Sequence, residues 1–532
     1  MTAPPPPALG ALAPLRQPVF RMLWLVWVGA NMAMSMNDVA AGWMMTELTH
    51  SAAWVALVST AATLPMFLFG IPSGALADML DRRRWLAATQ IWASGVATIL
   101  ALVALAGWLT PPMLLALVFL NGVTMAMRWP VFSAIVPSVV PKEQLPAALA
   151  MSGVAMNLPR IVGPMIAGAM LGWLGSASVF ALNAAITATT FFVLLRWEAP
   201  RRKQQALPGE RFFGAIRVGV QHVAASPRLR VTLLHIGLIM FQAACLSVLP
   251  LVVKSWPGAG AGSYAALLAA SGVGAIAMAL VFPRVRDRIS RNAAIRIGRL
   301  THSVAAISIV FAPNLWLALP GMAVTGASIM LSANTLSVAT QLALPDWVRA
   351  RGIAIYQTVM MGSTALGAML WGAVAQYTDV QSSVLLASAF GVVCAGLGRR
   401  WAVHPPKLDA HEPASIGAPP EVAIPVSQDE VPGMVTIEYQ IDPANVAEFE
   451  TVMRATRLAR RRQGVLSWGL FRDMAQPGRF VEYFVDENWT EHLRRLERFT
   501  AGDAELRERR LALHVGDQPP RVERYLSSAL DH

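Results

Sequence analysis

Apolar runs follow one another along the first 400 residues with little interruption by charge. They cover 19–45, 54–77, 85–105, 113–136, 147–174 and 178–195, then 231–253, 264–282, 293–311, 315–342, 353–376 and 382–397. Each is close to the roughly 20 residues a helix needs to cross a hydrocarbon core. The pattern predicts membrane-crossing helices in two sets of six. A polar, basic interval that begins RWEAPRRKQQALPGERF separates the sets. Pro159 and Pro164 fall inside the fifth run. A bilayer helix tolerates them because neighbouring helices satisfy the freed backbone groups.

The loops between the runs alternate in charge. One set, at 78–84, 142–143, 196–230, 284–299 and 346–351, holds nearly all the loop charges. The other set, at 46–52, 107–112, 175–177, 254–263, 312–314 and 377–381, contains a single basic residue, Lys254. Short loops rich in lysine and arginine stay in the cytoplasm, so the charged set, the central interval and both termini are expected there. The loop after the second run, ADMLDRRR, has a faint echo after the eighth, PRVRDRISR, as in transporters built from repeated halves.

Beyond residue 400 the pattern changes. Residues 401–432 are rich in proline, alanine and acids and read as a linker. MVTIEYQID then alternates like a strand, and PANVAEFETVMRATRLARRR has helical spacing. VLSWGLFRD and RFVEYFVDE form a strand pair around AQPG, and WTEHLRRLERFT is a second helix. A last strand is expected near 522–526. This is a ferredoxin-like order. The predicted fold is therefore an all-α membrane protein of twelve transmembrane helices in two six-helix bundles, 1–200 and 231–400, joined by a central loop, 201–230. A small soluble α+β ferredoxin-like domain, 433–532, follows the linker.

Composition sharpens this picture. The 532-residue chain is 55% hydrophobic and 14% charged, with mean hydropathy +0.49. Soluble domains carry about 25% charged residues, so this chain cannot cover itself with polar groups in water. The net charge of +12 resides in loops of the membrane half, which is a topological signature and not a nucleic-acid patch. Cys245 and Cys394 lie in separate apolar runs, too few for a disulfide framework or a metal site. The start, MTAPPPPALGALAPLRQ, reads as a short tail and not as a signal peptide. No phosphate-binding lysine loop, metal-ligand cluster or nucleophile elbow occurs, so neither cofactor nor metal is expected.

Few residues carry chemistry at membrane depth. Asp38, beside Asn37 in the first run and away from the cytoplasmic end, is the leading acid. An intramembrane carboxylate is expensive and by default functional, which makes it the proton-coupling candidate. The alternative is an acid that solvates the outer helix end. Arg128 in the fourth run and Arg160 in the fifth are the candidate cavity charges. Each must face the interior or pair, and Arg128 has the alternative of snorkelling to the interface. Asp78, Asp81, Arg82, Arg83 and Arg84 set the topology. Asp78 is also a candidate latch between the two halves.

Several of these segments resemble the major facilitator superfamily. GALADMLDRRR, from Gly74 to Arg84, matches its cytoplasmic motif between the second and third helices. RIVGPMIAG, with Gly163, Pro164 and Gly168, is similar to the fifth-helix motif of antiport-type exporters. NDVAAGWMMTELT, FSAIVPSVVPKEQLPAALAM, NLPRIVGP and LPDWVRARGIAIYQ resemble the enterobactin-exporter-like, or transmembrane secretion effector, branch. The resemblance spans nearly the whole chain. It implies a secondary-active carrier in the bacterial cytoplasmic membrane. That carrier would exchange protons for a small amphipathic drug, siderophore or metabolite, with the span-5 motif sealing against proton leak. The tail, with Trp468, Trp489 and His492, resembles the antibiotic-biosynthesis-monooxygenase-like fold. Leu496 stands where that pattern has a histidine, so a pairing or regulatory module is expected and dimerisation through the tail is the partner reading. The alternatives are a membrane-tethered, cofactor-independent oxidoreductase and a sensor acting through the tail.

Overall fold

A computed structural model of the chain describes residues 13–79, 81–141, 144–197, 212–345, 347–403, 412, 414 and 431–527. Its helices fall into twelve runs long and apolar enough to cross a membrane. The first four are α1 (Pro18–Leu48), α2 (Ala52–Met79), α3 (Arg82–Leu105) and α4 (Pro111–Val139). Proline stands at the start of α1 and α4, where a missing N–H costs nothing and φ is already helical. Asp81 caps α3, accepting from the Arg84 N–H at 2.8 Å.

The fifth span is two helices, α5 (Leu145–Asn157) and α6 (Pro159–Leu174), with the seam at Leu158. Pro159 supplies no N–H to the ladder, and its ring crowds the preceding turn. Gly175, at φ 75°, then turns the chain into α7 (Ser176–Leu195). The central interval is more ordered than expected, because it contains a helix, α8 (Phe212–Ala224). The seventh span is α9 (Pro227–Ala243), a 3₁₀ stretch at Ala244–Val248, and α10 (Leu249–Lys254). The remaining spans are α11 (Ala261–Arg288), α12 (Arg291–Val310), α13 (Leu315–Leu342), α14 (Arg349–Tyr377) and α15 (Val380–Leu397). One expectation is corrected here. Arg291, Arg296 and Arg299 belong to helix α12 and not to a loop that runs to 299.

The chain divides into two compact units. One holds 1–203, 233–337 and 354–402; the other holds 204–232, 338–353 and 403–532. Within the first unit, each six-helix half has its own packing, α3 on α7 and α2 on α4 in the first, α12 on α15 in the second. A large apolar core joins the halves at the end that carries the bare loops. There Trp43, Val55 and Leu100 meet Leu249, Val253, Trp256 and Ile309. At the charged-loop end a separate core of Phe20, Trp27, Leu86, Val131 and Phe132 belongs to the first half alone.

In lipid, helix association gains little from hydrophobicity, so close packing of small residues has to hold the halves together. The residues that meet are of that kind. A Cβ on Gly168 of α6 would overlap Ala265 of α11, and one on Gly272 of α11 would lie 3.0 Å from the Arg160 carbonyl. Gly372 of α14 sits against Ala56 of α2 in the same way. The pairs α6–α11 and α2–α14 therefore form the seam between the halves.

In the second unit the tail forms a sheet of β1 (Gly433–Gln440), β2 (Ser467–Arg472), β3 (Arg479–Asp486) and β4 (Arg521–Leu526), in the order β2-β3-β1-β4, all antiparallel. The strands alternate, so Tyr439, Phe480 and Phe484 point to one face; Tyr439 and Phe480 pack with Phe449 and Met453 of α16 (Val446–Gln463), and Phe484 packs with Val435 and Val465. Gly464, at φ 104°, ends α16. The expected helix at 489 is present as α17 (Trp489–Glu497). It is followed by a helix not anticipated from the sequence, α18 (Ala501–Ala512), whose start is a capping box of Thr500 and Asp503.

Candidate functional site

The α1 face that carries Ser35, Asp38 and Gly42 repeats at helical spacing, and its neighbours fix its direction. A Cβ on Gly163 of α6 would press on Ser35, and one on Gly42 would lie 3.0 Å from the Tyr264 hydroxyl of α11. Asp38, midway between Ser35 and Gly42 on that face, therefore looks toward α6 and α11. Met36, Asn37, Val39 and Ala40 around it are buried, whereas Asp38 itself is accessible. Arg160 is also accessible, and it stands on α6 one turn before Gly163, just past the Pro159 seam. Asp38, Arg160 and Tyr264 are electrostatic neighbours. An acid and a cation from the first half and a phenol from the second thus stand near one another where the halves meet.

Arg128 occupies a different place. It is 3% exposed, and its Nη2 donates to Asn31 Oδ1 at 3.1 Å. The Asn31 amide donates in turn to the Ala155 carbonyl at 3.1 Å. The guanidinium lies 5.0 Å over the Trp27 ring, which stacks on Phe132 at 3.9 Å. Its Nε has no partner, and among the described residues no carboxylate reaches it. A small cavity lined by Met34, Asn121, Thr124, Arg128 and Asn183 adjoins it. Arg128 and Arg160 are therefore separate features, and only Arg160 joins Asp38.

The motif after α2 is partly described. Gly74 and Asp78 lie in the last turns of α2, but the side chains of 74–80 and of Arg82 fall outside the described set, and the latch expectation for Asp78 falls with them. Asp81 caps its own helix, Arg83 donates to the Leu195 carbonyl at the end of α7, and Arg84 is exposed. Pro164 is buried in α6 between Gly163 and Gly168.

Two participants escaped the sequence reading. Tyr264 looked like an ordinary start of the eighth run. Arg299 was grouped with loop charges, yet it is 2% exposed inside α12. A count of turns from Ser290, the cap of α12, would have placed it two turns deep.

In the tail, Glu482 is fully buried and accepts from Arg460 Nε and Trp468 Nε1, both at 3.0 Å, and from Tyr439 OH at 3.1 Å. Burial alone would raise its carboxyl, but Arg460 and Arg510 outweigh that and hold it below its ordinary range. Asp486 accepts from His492 Nδ1 at 2.7 Å and from Arg495 Nε at 3.1 Å. Trp468 thus belongs with Glu482, while Trp489 stacks on His492, centroids 4.8 Å apart. Among the described residues no cluster of metal-ligating side chains occurs.

The tail packs on α8 and on residues 347–351 within its own unit. Arg217 of α8 bonds Glu487 at 2.7 Å and the Gly464 carbonyl at 3.2 Å. His222 Nδ1 donates to the Arg462 carbonyl at 3.1 Å. The Trp347 ring lies 5.4 Å from His222 and under Arg498 at 5.0 Å.

The chain matches the family model described as transmembrane secretion effector over residues 9–531. It is 26% identical over 410 residues to the enterobactin exporter EntS of Salmonella typhimurium, covering 74% of this chain and 96% of that protein. It is also 26% identical over 166 residues to macrolide efflux protein A of Streptococcus pyogenes, 31% of this chain and 40% of that one. Among solved structures, a bacterial homolog of the human lysosomal transporter Spinster, inward-facing and unoccupied, superimposes with TM-score 0.60 at 16% identity, over 73% of this chain and 98% of that one. The nucleoside transporter NupG does so with TM-score 0.58 at 14% identity, over 72% and 98%. With its twelve apolar spans, its two packed halves and this match along nearly its whole length, the chain belongs to the transmembrane secretion effector family, and it is a multi-pass inner-membrane transporter of the major facilitator superfamily rather than an enzyme.

Proposed function

We propose that the protein exports a small amphipathic molecule by alternating access, and that Asp38 couples export to proton entry. The observation that carries this reading is the shared position of Asp38, Arg160 and Tyr264. An ionised Asp38 is held by Arg160. A proton arriving on Asp38 removes that attraction and frees Arg160, so the charge at the α1–α6–α11 junction differs between the two states. Because α11 belongs to the other half, a change at this junction bears on the seam, which is the element that must open and close.

The charged loops face the cytoplasm in this reading, in line with the positive-inside rule, and the tail lies there too. The apolar core between the halves then seals the outer side, so the arrangement corresponds to a carrier open to the cytoplasm. Arg128, buried without a carboxylate, and the polar cavity beside it suit an anionic or acceptor-rich group of the cargo. The names of the relatives, an enterobactin exporter and a macrolide efflux protein, favour a siderophore- or drug-sized molecule. Gly163, Pro164 and Gly168 keep α6 and α11 close enough to exclude a proton leak.

For the tail, the strand order β2-β3-β1-β4 with helices on one face supports a ferredoxin-like module. Phe471, Met434 and Tyr525 are exposed on its strands, which favours pairing or regulation. Accumulation of a siderophore, macrolide and dye panel in cells with and without the protein tests the export reading. Lower accumulation of at least one compound, reversed by a protonophore, is expected. Equal accumulation across the panel, or higher accumulation with the protein, goes against it.

A further inference from the structure

The second half carries a buried cation that the transport reading leaves unused. Arg299 lies two turns into α12 and is 2% exposed. Its Nη2 donates to the His235 carbonyl of α9 at 3.1 Å, while Nε and Nη1 have no partner. From residue 231 to 402 the sequence holds only three acids, Asp287, Asp346 and Asp379. Asp287 sits at the exposed end of α11 beside Arg286, and Asp379 caps α15 at the opposite end of the bundle. Among the described residues, therefore, no carboxylate is positioned to balance Arg299. A buried unpaired charge is a standing penalty unless a counter-charge arrives from outside.

A cavity is present at that point. It is small and is lined by His235 of α9, by Asn292, Arg296 and Arg299 of α12, and by Cys394 and Gly398 at the end of α15. All these positions lie at the charged-loop end of their helices. One turn deeper the cavity has a floor. Gln242 donates to Ser303 Oγ at 2.8 Å, and Ser303 Oγ donates to the Ser388 carbonyl at 3.1 Å, so α9, α12 and α15 are tied together below Arg299. His235 is anchored by its Nε2, which donates to the Trp401 carbonyl at 2.9 Å, and its Nδ1 has no partner. The first turn of α12 adds its unsatisfied N–H groups and the positive end of its dipole.

We propose that this cavity binds a phosphate-class oxyanion between Arg299 and Arg296. The oxyanion is a free phosphate or the headgroup of an anionic lipid. Both sources present the same oxygens, and the site lies at the depth where a headgroup would stand. Arg299 supplies two inward N–H groups, Arg296 a second cation at the mouth, and the serine layer stops the anion from passing deeper. The proposal is independent of Asp38 and of the direction of transport.

Cys394 lines the cavity and reports its occupancy. In a Cys245→Ala protein it is the only thiol, and its alkylation by N-ethylmaleimide can be followed by intact mass. In uncharged detergent, saturating inorganic phosphate is compared with chloride at equal ionic strength. In nanodiscs, phosphatidylglycerol is compared with phosphatidylcholine. Occupancy at about ten times Kd slows alkylation about tenfold. Protection by phosphate in detergent identifies a free oxyanion, and protection only with phosphatidylglycerol identifies a headgroup. Arg299→Gln removes the protection. Arg296→Gln, at a half-buried position that folding tolerates, weakens it. Native mass spectrometry of the same samples counts bound phosphate or lipid even if the thiol reacts slowly. Equal alkylation in every condition, together with the same adducts in the parent and both variants, overturns the proposal.

Discussion

Trp43 of the first half stacks on Tyr264 of the second, with ring centroids 6.3 Å apart and 26° between their planes. The pair sits at the bare-loop end of the bundle, one turn beyond Asp38. Lys254 donates to the Thr46 carbonyl in the same region, and Ser51 Oγ donates to Gln376 Oε1 at 2.7 Å across the α2–α14 seam. These contacts tie the two halves together at this end, and Asp38 lies about one turn beneath them.

If this end opens and shuts in each cycle, a tether across it arrests transport. Ser51→Cys with Gln376→Cys, bridged by a short bis-methanethiosulfonate, is expected to lose transport and to recover it on reduction. The measurement is substrate efflux before and after reductant, with each single cysteine as control. Full transport by the bridged double variant would mean that this end does not move.

Arg128 makes a different prediction. A buried arginine without a carboxylate adds little net stability, because desolvation offsets its contacts. Arg128→Met is therefore expected to keep thermal stability within about 1 kcal/mol, the scale of the lost contact with Trp27. Transport of an anionic substrate is expected to fall about tenfold or more through a raised KM, as for loss of a charged contact of about 1.4 kcal/mol. A cationic substrate should be spared. Efflux kinetics on a matched anionic and cationic pair decide between this and a purely structural role.

The tail carries a pH dependence of defined sign. Burial first, then the neighbouring Arg495, hold His492 below its ordinary 6.5 despite Asp486, and Glu482 is held below its ordinary 4.5. In both cases the unfolded chain binds protons that the folded tail refuses, so stability falls as pH falls. The His492 contribution declines below pH 6.5, and the Glu482 contribution declines below pH 4.5. Hydrogen exchange in peptides from β1 and β3 of the intact protein, corrected for intrinsic rates, should accelerate in these two steps. Glu482→Gln should weaken the lower step, to which Asp486 also contributes, and destabilise the tail by about 3 kcal/mol, since it leaves Arg460 buried without its counter-charge.

Arg217 joins α8 to the tail through a pair whose side chains are 27% exposed on both sides. Such a pair is worth up to about 1 kcal/mol. Arg217→Ala is thus expected to raise exchange in residues 212–224 less than about tenfold while leaving β1 and β3 protected. Loss of protection throughout the tail would show that the contact holds the module together instead of docking it.

The spans were legible because bilayer thickness fixes their length and loop charge fixes their alternation. The accessible acid and base, Asp38 and Arg160, were legible because charge at that depth is expensive. Their meeting was not, since it depends on the packing of Ser35 against Gly163 and of Gly42 against Tyr264, contacts between residues with no signature of their own. Arg299 was misread because three neighbouring arginines made the start of α12 resemble a loop. The tail strands followed from their alternation, but α18, AGDAELRERRLA, has only two large apolar residues, Leu506 and Leu511, and no apolar stripe to announce it. Helix α8 was hidden inside a central interval whose polar, basic start, RWEAPRRKQQALPGERF, reads as a loop.

Proton coupling at Asp38 is tested most directly in proteoliposomes under an imposed pH gradient, with substrate flux and a trapped pH dye followed together. Asp38→Asn keeps the shape of the site and removes its titration. The parent protein should move protons and substrate in opposite directions. The variant should bind substrate and exchange it across the membrane, with no acceleration by the gradient and no proton movement. Gradient-driven flux in Asp38→Asn equal to that of the parent would contradict the account.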